Sequence, residues 1–539
     1  MRSHLFVVDG DLTKLSCDAW LLPTDSRFSV TASFAPGVDE SGPLRLLQTD
    51  WATGEVVRRF TPERPGLDPW VWLGNVGRSN APASHFAHVA EAFIEECSVA
   101  VLAAPRSSRP LPLLAVNMVG SGDGGGAAEK GELCHELIPI LCAAADRCGV
   151  DVALVTWGRA AYAAAQRVRQ GLVENGTWRE DEMWDLGENA DQLREIARKL
   201  ARAAQNQELV LFFGAGVSVE SGVPAWQKLI NLVATDLGLD QSAALQLARL
   251  DLRDQAAILR QRASKENRRL GELVAKHIGA TNYSLTHSLL ASLSVHESIT
   301  TNYDSLYEAA VGDRNGGLGL LPGDEVEPGR PWLLKLHGTI EDTDTFVLTR
   351  EDYLALAARR GALLGVVQAM LLTKTMFFVG YSLSDEDFHG IVNDVRKAHS
   401  DRTFGVALTL FGDSFFNELW GDELTVASVC DGQDEPDDRQ IAEAGRLVQV
   451  FLDLVGYQAA DLDAYLLMPE YRGMLSGEEV VLADALEDLA RRLPAQSDVA
   501  GWNRVRSLLE AFGALTRQSG AAGRQPDGAA PRRHGGQDR

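Results

Sequence analysis

The chain has 539 residues with 45% hydrophobic content, which predicts two or three domains with sizeable cores. A formal net charge of −24 repels phosphate backbones and disfavours a broad nucleic-acid surface. No apolar run approaches the ~18 residues of a bilayer span. The N-terminal run Leu5-Phe6-Val7-Val8 is too short for a secretory signal, so a soluble, cytoplasmic protein is expected. The six cysteines include no C-x-x-C pair, and neither a zinc site nor a disulfide framework is expected.

The first segment, 1–175, opens on that strand-like run and continues with Asp9-Gly10-Asp11. A second run, Ala19-Trp20-Leu21-Leu22, ends at Pro23-Thr24-Asp25. Leu113-Leu114-Ala115-Val116-Asn117 reads as a strand that enters a glycine cluster at 120–126. A helix over 133–145 and a strand over 152–155 follow. Strands alternating with helices predict a small α/β domain. The polar stretch 174–190, with Gly176, Gly187 and Asn189, marks a boundary. A helix carrying Leu193, Ile196 and Leu200 comes next.

The second domain, 190–460, is predicted from short apolar strands separated by helical stretches. The strands are Leu209-Val210-Leu211-Phe212-Phe213, then 298–301, 332–336, 376–379 and 403–410. That pattern predicts a parallel sheet covered on both faces. An acidic break at 434–438 precedes helices over 441–454 and 480–493. The C-terminal helices span 461–515, and the Gly-, Ala-, Arg- and Pro-rich stretch 516–539 is expected to be disordered.

Four motifs follow strands of the second domain. Gly214-Ala215-Gly216-Val217-Ser218, continued by Ser221-Gly222-Val223-Pro224, is a tight glycine turn expected to lead into a helix. Such a turn lets a pyrophosphate approach the backbone, and the free N–H groups of a helix start attract it. Thr301-Asn302-Tyr303-Asp304, Lys335-Leu336-His337-Gly338 and Gly380-Tyr381-Ser382-Leu383-Ser384-Asp385 complete the set. In an open parallel sheet the carboxyl ends of strands share one edge, where ligands bind. Asn302 and Asp304 could equally cap a helix starting at Ser305. Asp385, Glu386 and Asp387 read as the acidic first turn of a helix rather than as metal ligands. Valine at position 219 departs from the G-x-G-x-x-G form of dehydrogenases.

In this order the four motifs resemble the sirtuin family. The resemblance implies a Rossmann-like domain that takes NAD. Gly214, Ala215, Gly216, Ser218 and Pro224 would line the dinucleotide, and Gly380 and Ser382 would hold its adenosine side. Asn302 would face the nicotinamide ribose or an attacking water, with Asp304 orienting it, and His337 would serve as general base. Between His337 and Gly380 there is no cysteine, whereas sirtuin deacetylases carry a four-cysteine zinc module there. Their Pro-Asp-Phe-Arg continuation is here Pro224-Ala225-Trp226-Gln227.

That departure is similar to the sirtuin-like NAD-consuming effectors of bacterial antiviral defence. It implies an NAD hydrolase that releases nicotinamide and ADP-ribose, gated by oligomerisation or by a partner such as an ATPase, a guided nuclease-like protein or a phage product. A silent NAD or ADP-ribose sensor is the alternative, and a protein deacylase a third. Gly10-Asp11-Leu12, residues 18–23 and the cluster 120–126 resemble a macro-type ADP-ribose-binding domain. Asp11 and the amides of 120–126 would be its contacts, although asparagines usual in that family are replaced by Pro23-Thr24-Asp25. A scaffold or protein-recognition role for this domain is the other reading.

Overall fold

In the computed structural model of the chain the apolar runs become strands of two separate sheets. The structure describes residues 1–30, 34, 50–60, 69–77, 81–119, 129–312, 317–383, 386–398, 403–433, 435–494 and 499–514. The glycine cluster 120–126, the residues Ser384 and Asp385, and the expected disordered stretch 516–539 lie outside the described residues.

The first sheet contains β1 (Leu5–Asp9), β2 (Ala19–Thr24), β3 (Val57–Arg59), β4 (Trp70–Asn75), β5 (Leu113–Asn117) and β6 (Asp151–Thr156). Its order is β1-β6-β5-β2-β4-β3. All pairings are parallel except that of β3 with β4. The second sheet contains β7 (Leu209–Phe213), β8 (Glu297–Thr300), β9 (Gly319–Leu321), β10 (Trp332–Lys335), β11 (Thr375–Val379), β12 (Gly405–Phe411) and β13 (Leu424–Cys430). Its order is β13-β12-β11-β7-β8-β10-β9, with every pairing parallel.

The physical reason for the apolar runs is burial on two faces. All five residues of β7 are buried, which a parallel sheet requires when helices cover both sides. Each such Leu, Val or Phe contributes about 1.5–3 kcal/mol by leaving water. The helices Ala190–Gln205, Leu285–Ser292 and Asp438–Ala459 lie between the two sheets, and their apolar sides merge with both inner faces into one continuous core. The far side of the first sheet packs on Ala83–Ala103 and Lys130–Cys148. The far side of the second packs on Arg350–Thr373 and Glu386–Ala398. The result is five layers, helices alternating with sheets. The helices Gly477–Arg492 and Ala500–Ala511 form a small separate cluster around Leu466, Ala483 and Leu509.

Several expectations are corrected. β3, β4, β9 and β13 and the 21-residue helix Ala83–Ala103 were not anticipated. The glycine turn does not run straight into an α-helix: Ala215–Ser221 is a 3-10 segment, and the α-helix starts only at Trp226. The helix after β8 begins at Leu306 rather than Ser305.

Buried charge fastens the central helix Asp438–Ala459 to the first sheet. Asp453 accepts from Arg169 Nη2 at 2.6 Å, Trp184 Nε1 at 2.8 Å, His4 Nε2 at 2.9 Å and the Val7 amide at 3.2 Å. Burial alone would raise this carboxyl, but Arg169 and His4 hold it well below the usual carboxylate range. About two turns earlier, Arg446 grips Asp151 through Nε at 2.7 Å and Nη2 at 2.6 Å. Among the described residues no single helix is long and apolar enough to cross a membrane.

Candidate active site at the carboxyl edge of the second sheet

The chain passes from β7 to β8 on one side and returns to β11 on the other. The point where the connections diverge is the crevice between β7 and β11, the place where open α/β sheets bind ligands. Backbones meet there with no room for side chains. The Gly216 amide donates to Gly380 O at 3.0 Å, and the Gly214 amide to Val379 O at 3.2 Å. A Cβ on Gly216 would stand 2.8 Å from Gly380 Cα, and one on Gly214 2.7 Å from Gly380 O. Gly380 itself has φ +60, a conformation glycine adopts without strain. Ala215 and Gly216 are exposed and Pro224 is half-buried, so the loop presents backbone to solvent. Gly380 and Ser382 are exposed on the opposite lip.

Asn302 and His337 stand two residues beyond the paired positions Thr300 and Lys335 on the neighbouring strands β8 and β10. Both are nearly buried, at 6% and 5% exposure. Asn302 Nδ2 donates to Gly214 O at 3.1 Å and to Ser218 Oγ at 3.2 Å. Those bonds commit both amide hydrogens, so the carboxamide oxygen is the end left for a ligand. The Asn302 amide is fixed by Thr300 Oγ1 at 3.0 Å, and that hydroxyl in turn donates to Phe213 O at 2.9 Å.

Ser218, fully buried, donates to Asp304 Oδ2 at 2.9 Å. Asp304 Oδ1 also accepts the Leu306 amide at 3.2 Å. One Asp304 oxygen therefore caps the start of the helix while the other is held by Ser218. The backbone carbonyl of Asp304 accepts from Lys335 Nζ at 2.6 Å, and the same ammonium pairs with Glu308 Oε1 at 2.6 Å. Burial raises the Glu308 carboxyl above its ordinary value although Lys335 opposes the shift.

His337 packs edge-on against Tyr353, with ring centroids 5.3 Å apart. Behind it, Gly338 has φ +101, and a Cβ there would lie 2.4 Å from Thr345 O. Arg360 donates to Thr345 O at 2.6 Å and also to Leu336 O, which ties the His-Gly turn to the long helix behind it.

One member of the site was missed by sequence reasoning. His287, on the helix Leu285–Ser292, places Nε2 3.3 Å from Ser218 Oγ. Its Nδ1 accepts the Ser284 amide at 3.2 Å, so the proton sits on Nε2 and is donated to Ser218. Burial pushes this imidazole down to about 4, against the pull of Asp304, so it is neutral at physiological pH. The signal available was the spacing Ser284-x-x-His287, which forms a capping box.

The same helix touches the first sheet. Tyr283 OH accepts the Asp11 amide at 2.7 Å and donates to Asp11 O at 2.8 Å. The Asp11 side chain is spent on the Thr13 amide and hydroxyl, at 3.0 and 2.7 Å. Arg109, in the loop before β5, reaches the glycine turn itself. It contacts Glu220 at 3.2 Å, Gln449 Oε1 at 2.9 Å and Asp151 Oδ2 at 3.3 Å. Among the described residues no group of three or more His, Cys, Asp and Glu is placed to hold a metal ion.

Residues 296–423 match the SIR2-like domain family. The matched stretch carries Asn302, Asp304, His337 and Gly380; the glycine turn precedes it in the chain, outside the match. Curated relatives include the NAD(+) hydrolase ThsA of Enterococcus faecium, 28% identical over 208 residues, covering 37% of this chain and 42% of that protein. ThsA of Bacillus cereus (strain MSX-D12) is 26% identical over 210 residues, covering 38% and 43%. Defense-associated sirtuin 2 of Bacillus subtilis is 24% identical over 219 residues, covering 38% of this chain and 21% of that protein. The chain thus spans less than half the length of the curated relatives it matches. Among solved structures, an Oceanobacillus iheyensis macrodomain with ADP is similar at 14% identity and TM-score 0.25, covering 32% of this chain and 92% of that one.

Proposed function

We propose that the SIR2-like part of this chain hydrolyses NAD to nicotinamide and ADP-ribose. The observation that carries this reading is the convergence of Gly214, Ser218, Asn302 and Asp304 in one hydrogen-bonded group. That group stands beside the glycine crossing with Gly380. Exposed backbone at Ala215 and Gly216 lets a pyrophosphate approach the turn closely, as glycine turns after strands do. The Asn302 oxygen would accept from a ribose hydroxyl or from the attacking water. His337 would take the proton, a role open to an imidazole nitrogen. Asp304, acting through Ser218, would keep the asparagine in that pose. The leaving group is already good in a cationic nicotinamide, so positioning and charge stabilisation supply most of the remaining barrier reduction.

The name of the Bacillus subtilis relative, a defense-associated sirtuin, supports placing the activity in defence, and we read that defence as antiviral, with depletion of NAD halting the infected cell. Such an enzyme must be silent until triggered, and a homo-oligomer or a partner protein in the cytoplasm is the proposed gate. The test is NAD turnover by the purified full chain beside His337→Ala and Asn302→Ala. Nicotinamide released in step with NAD lost, and abolished in both variants, is the expected result. Tight NAD binding with no turnover under any condition would replace the hydrolase with an NAD sensor.

A further inference from the structure

A second cavity lies away from the catalytic edge. It occupies about 410 Å³ between the helices Arg159–Glu174, Ala190–Gln205 and Asp438–Ala459. The helix Ala190–Gln205 ends just before β7 begins, so this cleft sits at the edge of the second sheet opposite Gly214. Its volume falls within the range of sites that take small organic ligands.

The lining is unusual for so acidic a chain. Arg198 and Arg202, one helical turn apart on Ala190–Gln205, both line the cleft and are exposed. Among the described residues neither is held in an ion pair or a side-chain hydrogen bond. Guanidinium groups so spaced form a fork for a phosphate. Facing them, Gln170 Oε1 and Gln458 Oε1 are buried acceptors with no hydrogen-bond partner. Buried polar atoms are nearly always satisfied, and the terminal torsion of glutamine is soft. Rotation about that torsion is the movement by which a ligand's donor would be met. Tyr457 forms part of the wall, its ring tilted by 37° against Trp184 with centroids 4.4 Å apart. Paired cations, the unsatisfied acceptors of Gln170 and Gln458, the unsatisfied Gln166 Nε2 donor and an aromatic wall suit an anion that also carries hydroxyl or amino groups.

We propose that this cleft is a separate binding site for a small organic phosphate, of the size and chemistry of a sugar phosphate or nucleoside monophosphate. Its floor is connected to the catalytic edge. Tyr457, Asp453 and Gln449 are spaced by four on the helix Asp438–Ala459 and so share one face. Gln449 at the far end of that face donates to Glu220 of the glycine turn and to Thr286 Oγ1 at 3.2 Å.

The proposal is independent of hydrolysis and is tested by binding. Calorimetry on the full chain uses inorganic phosphate, ribose 5-phosphate and AMP as probes. It compares the natural protein, Gly216→Val to obstruct the glycine crossing, and Arg198→Glu/Arg202→Glu. Expected is saturable binding of ribose 5-phosphate or AMP that survives Gly216→Val and weakens at least ~10-fold in the double charge reversal. Both arginines are exposed, so their replacement leaves the fold intact, which a melting curve verifies. Absence of saturable binding by every probe, or binding unchanged by the charge reversal, overturns the proposal. Binding of inorganic phosphate as tight as that of the organic probes overturns the role given to Gln170 and Gln458.

Discussion

Ser218 donates its hydroxyl to Asp304 across 2.9 Å while accepting from Asn302 at 3.2 Å. One fully buried oxygen therefore joins the glycine turn after β7 to the polar motif after β8 and fixes the pose of the residue proposed to hold the ribose or water.

Removing that oxygen tests its role. Ser218→Ala leaves the Asp304 carboxylate short of a donor and holds the Asn302 side chain by Gly214 O alone. NAD turnover is expected to fall on the order of 100-fold. Stability should drop about 1–3 kcal/mol, the cost of an unsatisfied buried polar group. Nicotinamide release and urea melts read the two effects separately, and turnover within twofold of the parent would remove Ser218 from the site.

The neutral His287 gives a pH signature. Its folded value of about 4 lies below the ~6.5 of an unfolded histidine. Between those values the unfolded chain holds the extra proton, so stability falls as pH drops from 6.5 towards 4 and is flat above 6.5 on this account. In His287→Gln that part of the slope disappears. Melting temperatures across this window, parent against variant, measure it; parallel curves would contradict the assignment.

The glycine crossing predicts a binding defect. Gly216→Ala places a methyl against Gly380 Cα, at 2.8 Å from an unmoved backbone. The loop must shift, and KM for NAD is expected to rise about tenfold or more while the far-UV spectrum stays unchanged. An unaltered KM would mean that the dinucleotide does not approach this loop.

Arg109 links the first sheet to that loop. Arg109→Met leaves Asp151 with Arg446 and the His4 amide and strips Glu220 of its Arg109 cation. Breaking a buried pair costs about 3–5 kcal/mol, an upper bound here because Glu220 is partly exposed. A lower urea midpoint together with a raised KM for NAD is the expected pair of changes. Destabilisation without any kinetic effect would confine Arg109 to a structural role.

The sequence made the interior strands legible because they are unbroken apolar runs: β5 was read to the residue, and β7 likewise. β3 and β9 escaped because three residues carry no periodicity, and β13 because it alternates between buried and half-buried positions as an edge strand does. The site motifs were readable since each is contiguous. The groups that hold them were not. Glu220 meets Arg109 across 111 positions and Gln449 across 229, and no local pattern encodes partners that distant. His287 looked like any other histidine, because its function depends on Ser218, 69 positions away.

The helix Asp438–Ala459 is the last element to enter the space between the sheets, although it belongs to the middle layer. During synthesis both sheets are made before the piece that covers their inner faces and supplies Gln449 to the glycine turn. A nascent chain lacking residues beyond about 440 would have all four motifs and no settled loop to present them. Synthesis of this one helix, rather than of the motifs, thereby sets when the glycine turn gains its Gln449 contact.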